Sequence, residues 1–221
     1  MNFLRKIIAG DPYRKTRFHD IKGNFVGVSQ FKYLPRAVLD YTKRVALDIH
    51  PDAPWFTYNM VERINEIIRP DWKVIEFGSG RSTLWYAGRV ESVHSIEHDR
   101  EWFEFLSAEI ENKGIRNVRL DLREEADYSS VDDYPDYYFD FAVIDGIKRS
   151  VCARNVVMKV KEGGYLYLDN SDFSMTGKHP DFVVAEQTLM DAVEKRNGTY
   201  EFLTGFTVGR VNTHQGLLIK F

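Results

Sequence analysis

The chain has 221 residues, with 43% hydrophobic and 29% charged residues, enough for one sizeable domain with an N-terminal extension. Its 30 basic and 33 acidic residues give a net charge of −3, which offers duplex nucleic acid no electrostatic footing. Cys152 is the only cysteine, so neither an internal disulfide nor a cysteine-built zinc site can form, and a reducing, cytoplasmic setting is expected. The opening MNFLRKIIAG has a charge pair inside a very short apolar run. It lacks the apolar core of a signal peptide, and residues 3–8 read as a fraying or amphipathic turn. No stretch approaches the ~18 apolar residues of a membrane span, so no stable membrane insertion is expected.

The first seventy residues read as a helical lead-in. LPRAVLDYTKRVALDIH carries apolar residues at helical spacing, Pro51 and Pro54 interrupt it, and TYNMVERINEII resumes until Pro70. From Lys73 the period changes. KVIEFG, VHSIEHD, NVRLDL, FDFAVIDG and GYLYLDN are short β-rich runs bounded by turn signals. Helical patterns lie between them at residues 82–89, 101–113 closed by Gly114, and 150–161 closed by Gly163 and Gly164. After a last helix near residues 183–196, TYEFLTGFTV and GLLIKF form two strands joined by a link that permits only antiparallel pairing. Strands alternating with helices imply a three-layer α/β fold: a mostly parallel seven-stranded sheet, an antiparallel edge pair and N-terminal helices before it. Residues 1–70 and 71–221 are the expected units, with the N-terminal helices walling part of an acceptor pocket.

The glycine turn after the first strand, EFGSGRST, carries Gly78 and Gly80 but Thr83 where a dinucleotide fold has its third glycine, and no Gly-Lys-Ser/Thr follows. Glu97 ends the second strand, where a carboxylate can accept both hydroxyls of a ribose. Glu76 ends the first strand, where it repels a pyrophosphate and suits an amino group. The arrangement resembles the class I S-adenosylmethionine-dependent methyltransferases, whose first motif is an acid followed by a G-x-G turn. That resemblance implies a Rossmann-like methyltransferase fold over residues 54–221. It places Glu76, Gly78 and Gly80 along the methionine part of S-adenosylmethionine, Ser82 or Thr83 nearby, Glu97 on the ribose and His98 beside the adenine. A group within Arg123 to Asp127 would meet the adenine amine.

Asp145 in VIDGIKRS and Asp169 with Asn170 in YLYLDNSD end neighbouring strands, an oxygen-rich set suited to magnesium or calcium; capping and turn chemistry are the plain alternatives. Lys148, three residues after Asp145, is a candidate general base. The pattern D-x-x-K followed by D-N resembles the metal-dependent catechol and caffeoyl-CoA O-methyltransferases. It implies Asp145, Asp169 and Asn170 as ligands of a divalent ion such as Mg2+, Lys148 as the base, and Asp145 at the reaction centre as a catalytic and cofactor-binding residue. Gly146 and Arg149 depart from that family and match IDGxKR in bacterial glycan and natural-product methyltransferases, where a metal need not be present. Arg149 is a candidate holder of an anionic acceptor group or a surface ion pair. Cys152 and His94 read as packing residues. Trp55, Phe56 and Tyr58 form a first aromatic cluster and Tyr134, Tyr137 and Tyr138 a second. The acidic run REEADYSSVDDYPDYYFD reads as an exposed loop.

The expected activity is methyl transfer to a hydroxyl of a small molecule or sugar, by a monomer or a homodimer. A dinucleotide-dependent oxidoreductase and a non-catalytic nucleoside-binding module are the competing readings.

Overall fold

The computed structural model describes residues 12–175 and 179–221; the amphipathic turn expected at residues 3–8 lies outside them. A 3-10 turn, Val28–Tyr33, leads into α1 (Leu34–Leu47), followed by α2 (Tyr58–Ile67). Then come β1 (Lys73–Phe77), α3 (Arg81–Ala87), β2 (Ser92–Glu97), α4 (Arg100–Asn112), β3 (Val118–Leu122) and β4 (Phe139–Ile144). The chain continues through α5 (Arg149–Val156), β5 (Val160–Leu168), α6 (Pro180–Lys195), β6 (Thr199–Phe206) and β7 (Thr213–Lys220).

All seven strands join one sheet in the order β3-β2-β1-β4-β5-β7-β6. The pairs from β3 to β5 are parallel, and β7 runs antiparallel to both β5 and β6. The expected three-layer α/β fold, a mostly parallel seven-stranded sheet with an antiparallel edge pair, is therefore present. Because the chain enters at β1, winds outward to β3 and returns to β4, the carboxyl ends of β1 and β4 flank the point where strand order reverses. A crevice opens there in any doubly wound sheet.

Strand alternation divides the core between the two faces. Ile75, Phe77, Ala142, Ile144, Leu166 and Leu168 pack against Cys152, Ala153 and Val156 of α5 and Ala185 and Leu189 of α6. Val74, Phe141, Val143 and Tyr167 face the other way, onto Ala37 of α1, Met60 and Ile64 of α2, and Trp85 and Tyr86 of α3. The helical lead-in thus shares a core with the sheet. Burying each Leu, Ile or Phe contributes roughly 1.5–3 kcal/mol, and these side chains are 0–1% exposed.

One element departs from the sequence pattern. The helix expected over 150–161 stops at Val156, a 3-10 turn covers Val157–Lys159, and Gly163 and Gly164 lie inside β5. Here the β4–β5 register shifts: Phe139 pairs with Val160 but Phe141 with Tyr165. Gly163 has a φ of +76° and a Cβ on Gly164 would lie 3.0 Å from the Asp140 carbonyl, so the glycines make a strand bulge where they were read as a helix stop. Among the described residues no helix is long and apolar enough to cross a membrane.

Candidate cofactor pocket and active centre

The turn after β1 is built on close backbone approach. Gly78 has a φ of +96°, and a Cβ there would sit 2.7 Å from the Gly146 nitrogen and 2.9 Å from the Asp145 carbonyl carbon. Only glycine combines that dihedral with that proximity. Gly146 is equally constrained, since a Cβ on it would meet the Tyr128 hydroxyl. The β1–α3 and β4–α5 turns are therefore in direct contact, which brings Asp145 to the glycine turn.

Glu76 is fully buried. Its Oε2 accepts the Thr83 hydroxyl at 2.6 Å and the Ser95 hydroxyl at 2.9 Å, and Oε1 is buried without a hydrogen-bond partner among the described residues. Burial pushes the carboxyl up to about 7, opposed by the hydroxyls of Ser82, Thr83 and Ser95 and reinforced by the Glu97 charge. Thr83 also accepts the Gly80 N–H at 3.0 Å. The residue that breaks the dinucleotide fingerprint is thus the brace between the turn and the strand-end acid.

Glu97 is held more tightly. Its Oε2 accepts the N–H and hydroxyl of Ser79 at 3.1 and 2.7 Å. Its Oε1 accepts the backbone N–H groups of His98 and Asp99 at 2.8 and 2.9 Å, with His98 Nδ1 at 3.1 Å. The His98 ring is edge-on to Tyr128 at 5.7 Å. Arg123, in the segment expected to meet an adenine, spends its guanidinium on the Ser130 carbonyl and Asp121.

A cavity of about 180 Å³ opens at the glycine turn, lined by Trp55, Ser79, Gly80, Arg81, Ser82, Trp102 and Asp145. Trp102 escaped the sequence reading. Its indole donates to the Ser79 carbonyl at 2.8 Å, and Asp99, capping α4, accepts the Trp102 N–H at 2.9 Å. The only signal was an aspartate three residues before an aromatic at a helix start, an ordinary cap. Phe56 and Tyr58 belong to the core, while Trp55 is 38% exposed and lines the cavity.

The second constellation assembles differently from the sequence expectation. Asp145 and Asp169 come together, and burial together with the Asp169 charge raises the Asp145 carboxyl well above the carboxylate range, with Arg149 opposing. Arg149 is 6% exposed and lies among the strand ends rather than on the surface. It donates to the Asp145 carbonyl at 3.0 Å, Asp145 Oδ1 at 3.1 Å, the Gly146 carbonyl at 3.0 Å and Asn170 Oδ1 at 3.5 Å, and also to the Asp169 carbonyl. Asp169 Oδ1 is turned to the Tyr167 hydroxyl.

Asp145, Asp169 and Asn170 accordingly do not fit a divalent ion. A guanidinium stands between two of the three donors and supplies the positive charge that a metal would bring, and the third donor points to a tyrosine. Among the described residues no group of three or more His, Cys, Asp or Glu could hold a metal. Lys148 is not brought to Asp145 either. It occupies a left-handed position before α5, and its ammonium rests on the Glu125 carbonyl at 2.6 Å and 3.8 Å from the Glu125 carboxylate.

The expected packing residues behave as such. His94 is enclosed by Asp121 at 3.0 Å and the Tyr134 hydroxyl at 2.9 Å. Burial pushes the Cys152 thiol up to about 12.

Neither a family model nor a curated protein sequence matches the chain. Solved structures do. Cofactor-bound Rv0187 from MTB is 18% identical with a TM-score of 0.60, covering 87% of this chain and 91% of that one. A putative methyltransferase from Streptococcus mutans, in complex with SAH, is 11% identical with a TM-score of 0.53 over 72% and 94%. A SAM-dependent methyltransferase from Aquifex aeolicus is 14% identical with a TM-score of 0.52 over 84% and 97%. The fold is that of the SAM-dependent methyltransferases. Within this methyltransferase fold, Gly80 and Asp145 line one cavity at the strand-order reversal, and Glu76 is buried behind the glycine turn.

Proposed function

We infer that the protein is an S-adenosylmethionine-dependent methyltransferase acting on a hydroxyl of a small molecule or sugar, without a metal. The observation that carries this reading is Glu76: a buried strand-end carboxyl with one oxygen lacking a partner, beside a glycine turn that opens on a cavity. An orphan buried acceptor costs free energy unless a ligand satisfies it. A ligand amine suits it, and a pyrophosphate does not. The SAH-bound and cofactor-bound structural neighbours support the same reading.

Gly78 and Gly80 allow the close approach of the cofactor's methionine part, with Ser82 and Thr83 beside it. Glu97 receives the ribose hydroxyls in exchange for the Ser79 hydroxyl now on its Oε2, and His98 borders the adenine. Bound there, the cofactor would supply an electrophilic sulfonium methyl for an acceptor oxygen. Asp145, at the cavity wall, takes the acceptor proton, and Arg149 at 3.1 Å favours its carboxylate form and holds it in place. Lys148 could serve as the base only after leaving Glu125.

The test is calorimetric titration with S-adenosylhomocysteine, with and without magnesium, against NAD. Binding of S-adenosylhomocysteine that is independent of magnesium and lost in Glu97→Ala is expected. Binding of NAD in its place would overturn the reading. Cofactor binding without turnover across an acceptor panel would identify a binding module.

A further inference from the structure

The loop between β6 and β7, residues 207–212, carries an arginine cluster that the pocket chemistry does not use. Arg210 belongs to this loop, Arg44 from the last turn of α1 packs beside its neighbour Gly209, and Arg14 from the N-terminal segment is hydrogen-bonded to Thr213 at its far end. The loop is fixed in place: Val208 N–H donates to the Phe56 carbonyl at 2.9 Å and Arg210 N–H to the Thr207 carbonyl at 3.1 Å. A Cβ on Gly209 would lie 3.9 Å from Arg44 Cδ. Arg14 is buried, donating from Nε to the Thr213 carbonyl at 2.8 Å and contacting the His214 ring at 2.7 Å.

Neither Arg44 nor Arg210 forms an ion pair among the described residues, and Arg44 Nε is buried without a hydrogen-bond partner. Burial lowers the Arg210 pKa, and the charges of Arg44 and Arg14 lower it further, with Asp169 opposing. Gathering like charges at one place disfavours the folded state, and solvated surface arginines spread apart to avoid it. The cluster adjoins the active centre. Val208 is hydrogen-bonded to Phe56, the neighbour of Trp55, which lines the cavity and stacks on His50 at 5.7 Å.

We propose that Arg44 and Arg210, backed by Arg14, bind an anionic group of the acceptor, a carboxylate or a phosphate. The assignment rests on the methyltransferase reading of the adjoining pocket. Guanidinium forks match the planar carboxylate and the phosphate oxygens, and such charge-assisted bonds are the strong ones. One anionic group offsets the mutual repulsion of the arginines and fixes the acceptor relative to Asp145.

The experiment uses the full chain, with inorganic phosphate and benzoate as separate probes, on wild type, Arg44→Gln and Arg210→Gln. S-adenosylhomocysteine is titrated into the same preparations. One anion should bind the wild type, each substitution should weaken it about tenfold or more, and S-adenosylhomocysteine affinity should stay unchanged. Preference for phosphate assigns a phosphorylated acceptor, and preference for benzoate a carboxylic one. No anion binding, or equal binding in the variants, overturns the proposal even where S-adenosylhomocysteine binds. Anion binding that depends on the arginines in a protein that ignores S-adenosylhomocysteine leaves the anion site standing and removes its role in methyl transfer.

Discussion

Glu76→Gln isolates the energetics of the buried strand-end acid. Glu76 has no exposed surface, and its carboxyl is pushed from 4.5 up to about 7. In the unfolded chain the group returns to its ordinary value, so between these limits the native state holds a proton that the unfolded state has released. The stability contributed by the protonated form is complete below the unfolded pKa and is lost as pH rises through about 7. At roughly 1.4 kcal/mol per pKa unit the full loss amounts to about 3–4 kcal/mol, most of which falls between about pH 5 and about pH 8. Glutamine keeps an acceptor for Thr83 and Ser95 and never ionises. Urea unfolding followed by tryptophan fluorescence across that range should show the variant gaining about 2–3 kcal/mol on the wild type as pH rises. A difference between the two curves that stays flat would refute the account of Glu76 as a desolvated acid. Because a ligand amine favours the ionised form, S-adenosylhomocysteine should bind the wild type more tightly as pH rises through about 7.

Gly78→Ala should cost about 2 kcal/mol or more, since the added Cβ meets backbone rather than a flexible side chain at a positive φ; thermal unfolding reads the loss and calorimetry the accompanying loss of cofactor affinity. Arg149→Met should destabilise by about 3–5 kcal/mol, because it leaves the Asp145 carboxyl without its cation and the Asp145, Gly146 and Asp169 carbonyls without their donor; urea unfolding measures this, and added magnesium should not restore it. Asp145→Asn should lower turnover by about a hundredfold or more with cofactor affinity retained, the usual scale for losing a general base. Lys148→Gln, by contrast, should leave turnover within about threefold, the reverse of what a lysine base requires.

Strand runs and the glycine turn were legible because alternation and backbone geometry are written locally. KVIEFG had to end at a residue able to take a positive φ, and Gly78 does. The β5 bulge was not legible. VKEGGYLYL offers the same glycines to a helix stop and to a strand bulge, and only pairing with Asp140 and Phe221 across the sheet selects the second. Glu76, Glu97 and Asp145 could be placed because strand ends converge at a known point of the topology. The role of Arg149 could not. Its distance from Asp169 and Asn170 along the chain is closed only by folding, and a buried arginine beside an aspartate reads in sequence like any helix-surface pair. Trp102 was hidden for a similar reason, since its indole meets Ser79 across 23 residues.

The contact between Gly78 and Gly146 makes the two turns a single ledge. With the Gly146 nitrogen so close to where a Gly78 side chain would begin, neither turn has slack to shift without moving the other. Any displacement of the first is passed to the backbone that carries Asp145. On the methyltransferase reading, a ligand seated against one turn would therefore shift the aim of the other, and a pair of absent side chains is what couples them.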